Sequence, residues 1–381
     1  MNLKHRPTKT RGPIFCSAFF QDCRVADFQV GSAAVRGAGL ETCGTADLEV
    51  CAMAAARTPI FGKLGRLAGR IFRQTLMFAT LAIAAVLALA GCGKSGSDVV
   101  VIYTSQDEVY AGPLLQEFEK ETGIQVQPVF DSEAVKTVGL VNRLLTERNH
   151  PQCDVFWNNE EFRTRQLAAL DIFRQSNGWT HLGYRTRRLV INTNFLMEAG
   201  APRRFSDVTN EIWRGKVALA YPLFGTTATH FHALRQHWGD ASWRNWCQAL
   251  LANKPFLVDG NSVVVKFVER GEAWIGFTDS DDIAAAQREG FPVQALPVTE
   301  ETLFIPNTVG VIRNCPHPAA AQRLYEYLSK PEVSQRLVEL RALEGATLDP
   351  ATAASSLTVD WNALLKNLNA VTTETKEMFL R

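Results

Sequence analysis

The sequence predicts an α/β protein built as two units, each a largely parallel sheet with helices on both faces. Three observations predict it. From Val99 onward, apolar runs alternate with amphipathic stretches, the rhythm of repeated strand–helix units. The first run, Val99-Val100-Val101-Ile102-Tyr103, is continuous, as in a strand covered on both faces. The pattern then restarts after Leu189-Val190-Ile191-Asn192-Thr193, so one sheet gives way to a second.

The elements follow in order. A helix is expected from Glu108 to Glu121, with Leu114, Leu115 and Phe118 on one face and Gly123 as its stop. Ile124–Val129 reads as a strand, Leu140–Glu147 as a helix, Asp154–Trp157 as a strand and Glu160–Leu170 as a helix. The second unit supplies the strand Val217–Ala220, the helices Ala228–Trp238, Ser242–Leu251 and Val263–Arg270, and the strand Ala273–Phe277. After Pro306–Gly310 the chain turns helical over Ala319–Leu328 and Val333–Leu340.

Ahead of this body, Leu76–Ala90 is an apolar run of about 15 residues, flanked by Arg66, Arg70 and Arg73. That is short for a bilayer span and right for the core of a signal peptide. Leu89-Ala90-Gly91-Cys92 closes it and resembles a bacterial lipobox, which implies lipidation of Cys92 as the mature N-terminus. Residues 1–63 carry Cys16, Cys23, Cys43 and Cys51 at spacings that suit no zinc site, with no sustained period. They read as a mis-called or non-globular extension, 64–92 as the lipoprotein signal peptide and 93–98 as a polar tether.

Of 40 basic and 39 acidic residues, 11 and 5 lie in the first 91, so the remainder is net acidic. This argues against nucleic acid as a partner. Cys153, Cys247 and Cys315 are few and widely spaced, which points to buried thiols with at most one disulfide.

Several stretches share one likeness: Val101–Gln106, Phe118–Val126, Cys153–Trp157, Trp213–Ala218, Gly271–Gly276 and His317–Ala321. In this order they resemble the extracellular solute-binding proteins of ABC importers, and within them the ferric-ion-binding type. The likeness covers Val99 to about Leu348. It implies the two-lobed type II periplasmic-binding-protein fold, with two hinge crossovers near Val190–Thr193 and Ile305–Gly310. The first lobe would be 99–191 plus 308–381 and the second 192–307. It also implies a permease and an ATPase as partners, with the protein lipid-anchored on the periplasmic or extracellular side of a bacterial membrane. A monomer is the default expectation, since each sheet's faces are covered by the chain's own helices.

Ligands of open α/β sheets sit beyond the carboxyl ends of the strands. Four segments occupy such places. They hold Ser105, Gln106 and Asp107; Asn159 and Glu160; Gly225, Thr226 and Thr227; and Asp279, Asp281 and Asp282. Gly225-Thr226-Thr227 opens a helix, where free N–H groups favour an anion; helix capping by a threonine is the alternative. Ferric-binding relatives place two adjacent tyrosines where this chain has Asp281 and Asp282, and Asp107 stands where some have a histidine. The likeness implies Fe³⁺ with phosphate or carbonate as transported ligand, held by Asp107, Glu160, Asp281 and Asp282, with no obligatory cofactor. The tyrosine replacement leaves other ligands open: an aminoalkylphosphonate, a polyamine or another cationic or zwitterionic solute. For single acids, capping a helix is the competing role.

His230, His232 and His237 read as a solvated helix face, and Arg185, Arg187 and Arg188 as a solvated basic run. Gly-x-Ser-x-Gly and His-Glu-x-x-His are absent from the body. Binding is therefore favoured over catalysis, with a ligand-sensing or enzymatic protein on the same scaffold as the alternatives.

Overall fold

A computed structural model describes residues 99–131, 137–175 and 178–380, all within the compact unit Ile83–Arg381. The extension, signal peptide, Cys92 and tether expected from the sequence lie outside the described residues.

The first lobe opens with β1 (Val99–Thr104), α1 (Glu108–Thr122) and β2 (Gln125–Phe130). It continues through α2 (Val138–Glu147), β3 (Val155–Asn158) and α3 (Glu161–Ala169). β1 pairs in parallel with both β2 and β3. Gly123, at φ +71°, ends α1 as the sequence predicts. Cys153, Cys247 and Cys315 are free and buried.

A 14-residue strand, β4 (Trp179–Asn192), then leaves this lobe. Beyond it lie β5 (Val217–Ala220), α4 (Gly225–Trp238), α5 (Asp240–Ala252), β6 (Phe256–Val258) and α6 (Asn261–Glu269). β7 (Ile275–Asp279), α7 (Ser280–Arg288) and β8 (Val293–Ala295) complete the second lobe. β9 (Phe304–Val311) returns to the first lobe, followed by α8 (Pro318–Leu328) and α9 (Pro331–Glu339). The chain ends with α10 (Pro350–Ala354) and α11 (Trp361–Phe379).

The strand order is β2-β1-β3-β9-β4-β7-β5-β6, with β8 also on β4. The parallel pairs sit in the two lobes, and the antiparallel pairs are made by β4 and β9. β4 pairs with β9 as far as Thr186 and with β7 from Arg187, so it changes lobes there. The resemblance implied a crossing near Val190–Thr193, a few residues further along the strand. In β9, Phe304–Asn307 pairs with β4, and Thr308–Val311 also pairs with β3.

Separate apolar cores support the lobes. One is centred on Ile102, Phe118, Phe156 and Leu324. A second holds Phe231, Trp243, Trp246 and Phe277, and a smaller one holds Val190, Ala218 and Val264. Helix α11, expected with the first lobe, contributes Leu364, Leu368, Val371 and Phe379 to the second core. Phe379 meets Phe231 edge-on at 5.7 Å, and Arg235 and Arg244 both pair with Glu374. The helix also packs against α3 of the first lobe, where Trp361 meets Phe162 and Arg165.

The histidine expectation is corrected. His230 is 0% and His232 4% exposed, while His237 is exposed. His230 Nε2 lies 2.8 Å from the Glu301 carbonyl oxygen, and its ring meets Phe205 edge-on. Burial pushes both imidazoles down to about 3, with nearby arginines adding to it. They are neutral in the fold and would gain a proton on unfolding below about pH 6.5. Their stabilising contribution is thus complete above that pH and lost as pH falls toward 3. For His230→Gln, urea melts should show a stability penalty that shrinks by about 2 kcal/mol between pH 7.5 and pH 5.

Gly183 sits at the irregularity of β4 with φ +122°, and a Cβ there would lie 2.6 Å from the Gly345 carbonyl oxygen. Gly183→Ala should therefore cost about 1–3 kcal/mol in chemical denaturation.

Candidate functional site

The carboxyl ends of β1, β3, β5, β6 and β7 converge on one cavity of about 30 Å³ between the lobes. A single water needs on the order of 10–15 Å³ on this measure, so the space fits an ion or a small polar group. Asp107 and Asn159 line it from the first lobe, Arg185 from β4, and Gly225–Thr227 with Asp279 and Asp282 from the second.

Asp279 ends β7 at 1% exposure. Its Oδ1 accepts from Arg187 Nη1 at 2.7 Å. Its Oδ2 accepts from Thr226 Oγ1 at 2.7 Å and Asn261 Nδ2 at 3.1 Å. Arg185 Nη2 stands 3.4 Å from that oxygen, and Arg185 Nη1 donates to Asp281 Oδ2 at 2.6 Å. Burial pushes the Asp279 carboxyl up, but Arg187 and Arg185 outweigh it and hold the group below its ordinary range. Asp281 goes the other way. Burial carries it to about 6, with Asp279 and Asp107 reinforcing the rise against the pull of Arg185.

The solvated basic run is therefore corrected for two of its members: Arg185 is 2% and Arg187 0% exposed. Alternation along β4 aims both at the acids, while Arg188 faces outward to Glu344 at 2.9 Å. One oxygen or more of Asp279, Asp281 and Asp282 lies within 4.8 Å of the others, yet two of the three already hold an arginine.

The remaining expected residues divide. Glu160 is fully buried as the N-cap of α3. Its carboxylate accepts from Phe162 N at 2.7 Å, Arg163 N at 3.0 Å and Thr229 Oγ1 at 3.3 Å. It does not line the cavity, and its capping role describes it. Ser105 Oγ donates to Asn158 Oδ1 at 2.7 Å and accepts from Asn159 N at 2.9 Å. Gln106 accepts from Asn307 Nδ2 at 2.8 Å. Both brace the hinge side of the site. Asp107 is the N-cap residue of α1 without a side-chain cap bond, and it lines the cavity.

At α4 the N-cap is Phe224, with no side-chain cap bond. The Thr226 hydroxyl goes to Asp279 and the Thr227 hydroxyl to Asn261 Oδ1 at 3.1 Å. Neither threonine caps the helix, and Gly225, at φ +52°, turns the chain into it. The first-turn N–H groups, which have no partner within a helix, sit at the cavity.

Sequence reasoning missed the loop after β6, where Asp259, Gly260 and Asn261 also line the cavity. The signal was the apolar triplet Phe256–Val258 followed by a polar turn and a helix, too short to register as a strand.

A two-lobed α/β architecture with a hinge of two strands and a polar interlobe cavity is the one that solute-binding proteins use. Residues 99–339 match the family of bacterial extracellular solute-binding proteins, and the chain belongs to that family. A curated relative, an Fe(3+)-binding periplasmic protein of Serratia marcescens, is 28% identical over 212 residues, 51% of this chain and 60% of that protein. The match thus spans less than two thirds of that relative's length. Among solved structures, iron-bound HitA of Pseudomonas aeruginosa superposes with a TM-score of 0.64 at 17% identity, covering 73% of this chain and 99% of that one. AfuA of Actinobacillus pleuropneumoniae, solved with fructose-6-phosphate, gives 0.63 at 17%, covering 74% and 99%. The apo ferric ion-binding protein A of Pasteurella haemolytica gives 0.62 at 21%, covering 74% and 98%. The fold is the type II periplasmic-binding-protein fold that these proteins share.

Two substitutions separate the roles of these acids. Glu160→Ala should cost about 1–2 kcal/mol of stability in urea melts. Asp282→Asn should leave the melt unchanged and weaken binding of a cationic or zwitterionic cleft ligand at least tenfold in calorimetric titration.

Proposed function

We propose that the protein is the periplasmic capture component of an ABC importer, and that it takes a ligand combining an oxyanion with positive charge. One observation carries this reading: a small cavity is lined both by the start of α4 and by Asp107 and Asp282. Helix N-termini favour anions, and carboxylates favour hard cations or ammonium groups. Ligand would bridge the lobes, β4 and β9 would absorb the closing motion, and a permease with its ATPase would receive the closed form. The lipid anchor at Cys92 belongs to this reading as the tether that keeps the protein at the membrane.

Ferric ion with phosphate or carbonate is the first reading of the ligand, supported by the Serratia relative's activity. Asp107 and Asp282 are its candidate ligands at the cavity, with Asp281 beside them but held by Arg185, while Glu160 is withdrawn from that set by its capping bonds. The second reading is a small zwitterion such as an aminoalkylphosphonate. It is favoured by the pairing of Arg185 and Arg187 with Asp279 and Asp281, which sets positive charge where a metal would sit. Relatives of this kind bind solutes, and no catalytic role is assigned.

Thermal-shift titration should show stabilisation by ferric ion with phosphate, or by 2-aminoethylphosphonate. A ligand at 100 times its Kd adds about 2.7 kcal/mol. Small-angle scattering should show contraction with the same compound. If neither compound nor a polyamine stabilises the protein, the capture reading fails.

A further inference from the structure

Arg185 combines features that a structural ion pair does not require. It lies on the strand that changes lobes, is 2% exposed, and lines the interlobe cavity. It touches both sides: Nη2 donates to the Asn159 carbonyl at 3.0 Å, and Nη1 to Asp281 Oδ2 at 2.6 Å. Its Nε has no hydrogen-bond partner, and neither has Asp281 Oδ1. A buried guanidinium N–H without an acceptor is costly, and such orphaned groups call for an explanation. Arg185 Nη2 and Thr226 Oγ1 also converge on the same oxygen of Asp279, at 3.4 and 2.7 Å. This places the guanidinium next to the first turn of α4.

We propose that the cleft binds the oxyanion of its ligand directly, without a metal ion between them, through the Arg185 guanidinium and the first-turn N–H groups of α4. The idea rests on the cleft being the capture site, and it deepens the zwitterion reading. Guanidinium is planar, always charged and suited to phosphonate or carboxylate oxygens. Asp107 and Asp282 line the same cavity, so a bare dianion meets repulsion and an ammonium group on the same molecule relieves it. The substrate class is then a short aminoalkyl oxyanion, larger than the space of about 30 Å³ between the lobes as they stand, so the lobes part to admit it. Because Arg185 sits where β4 passes from one lobe to the other, the bond that holds the ligand also pulls on the hinge.

The test is calorimetric titration of the purified protein, treated with EDTA, using 2-aminoethylphosphonate and methylphosphonate. Parallel titrations add ferric ion with phosphate. The expected result is metal-free binding of 2-aminoethylphosphonate, at least tenfold weaker binding of methylphosphonate, and at least a tenfold loss in Arg185→Gln. Since Arg185→Gln leaves buried carboxylates uncompensated and can unfold the chain, Arg185→Lys is measured as well. It keeps the charge, loses the Nε donor, and should weaken binding several-fold in protein that still melts cooperatively. Unchanged affinity in Arg185→Lys overturns the proposal. So does binding that appears only with ferric ion, which leaves the capture role and its iron reading standing. Absence of binding under every condition overturns the proposal and the capture role together.

Discussion

Everything at the cleft is organised around the buried carboxylate of Asp279. It ends β7, and its partners come from the hinge strand (Arg185, Arg187), the start of α4 (Thr226) and the start of α6 (Asn261). Two charges of each sign brought out of water compensate one another here through direct pairing. Here each bond also fixes an element boundary. The knot therefore sets where β4 stops serving one lobe, and how the first turn of α4 is presented to the cavity. Removing a single member strands its partners, which is worth about 3–5 kcal/mol for a buried pair. The geometry of the site is thus inseparable from the stability of the second lobe.

The strand–helix rhythm was legible because it is written in local patterns: continuous apolar strands, amphipathic helices and a glycine stop at Gly123. The rule that ligands gather at strand ends placed Asp107, Asn159, Gly225–Thr227, Asp279 and Asp282 around one cavity. What stayed hidden depends on partners far apart in the chain. Arg185 and Arg187 look like part of a solvated run until β7 supplies Asp279 and Asp281 across the ladder. His230 and His232 look solvated until α11 and the Glu301 segment cover that face of α4. Glu160 carries a charge that sequence alone cannot assign to a ligand or to its own helix. The N–H groups of Phe162 and Arg163 decide that.

Asp281, a candidate metal ligand from the sequence, leans on an arginine. An aspartate already neutralised by a guanidinium offers less negative charge to a trivalent ion than a free carboxylate does. One fold can carry both chemistries because the lobes and hinge set only the position of the cavity, and side chains at five strand ends set its content.

The final helix has a mechanical consequence. After β9 the chain belongs to the first lobe through α9, yet α11 is seated on the second core. The segment between Glu339 and Trp361 therefore forms a third covalent strap across the lobes. That strap is pinned along its length, by Glu344 N to the Tyr184 carbonyl and by Leu357 N to the Thr302 carbonyl, and α10 takes up part of it. The lobes are leashed on one side, so any rotation must roll about the paired strands under that leash.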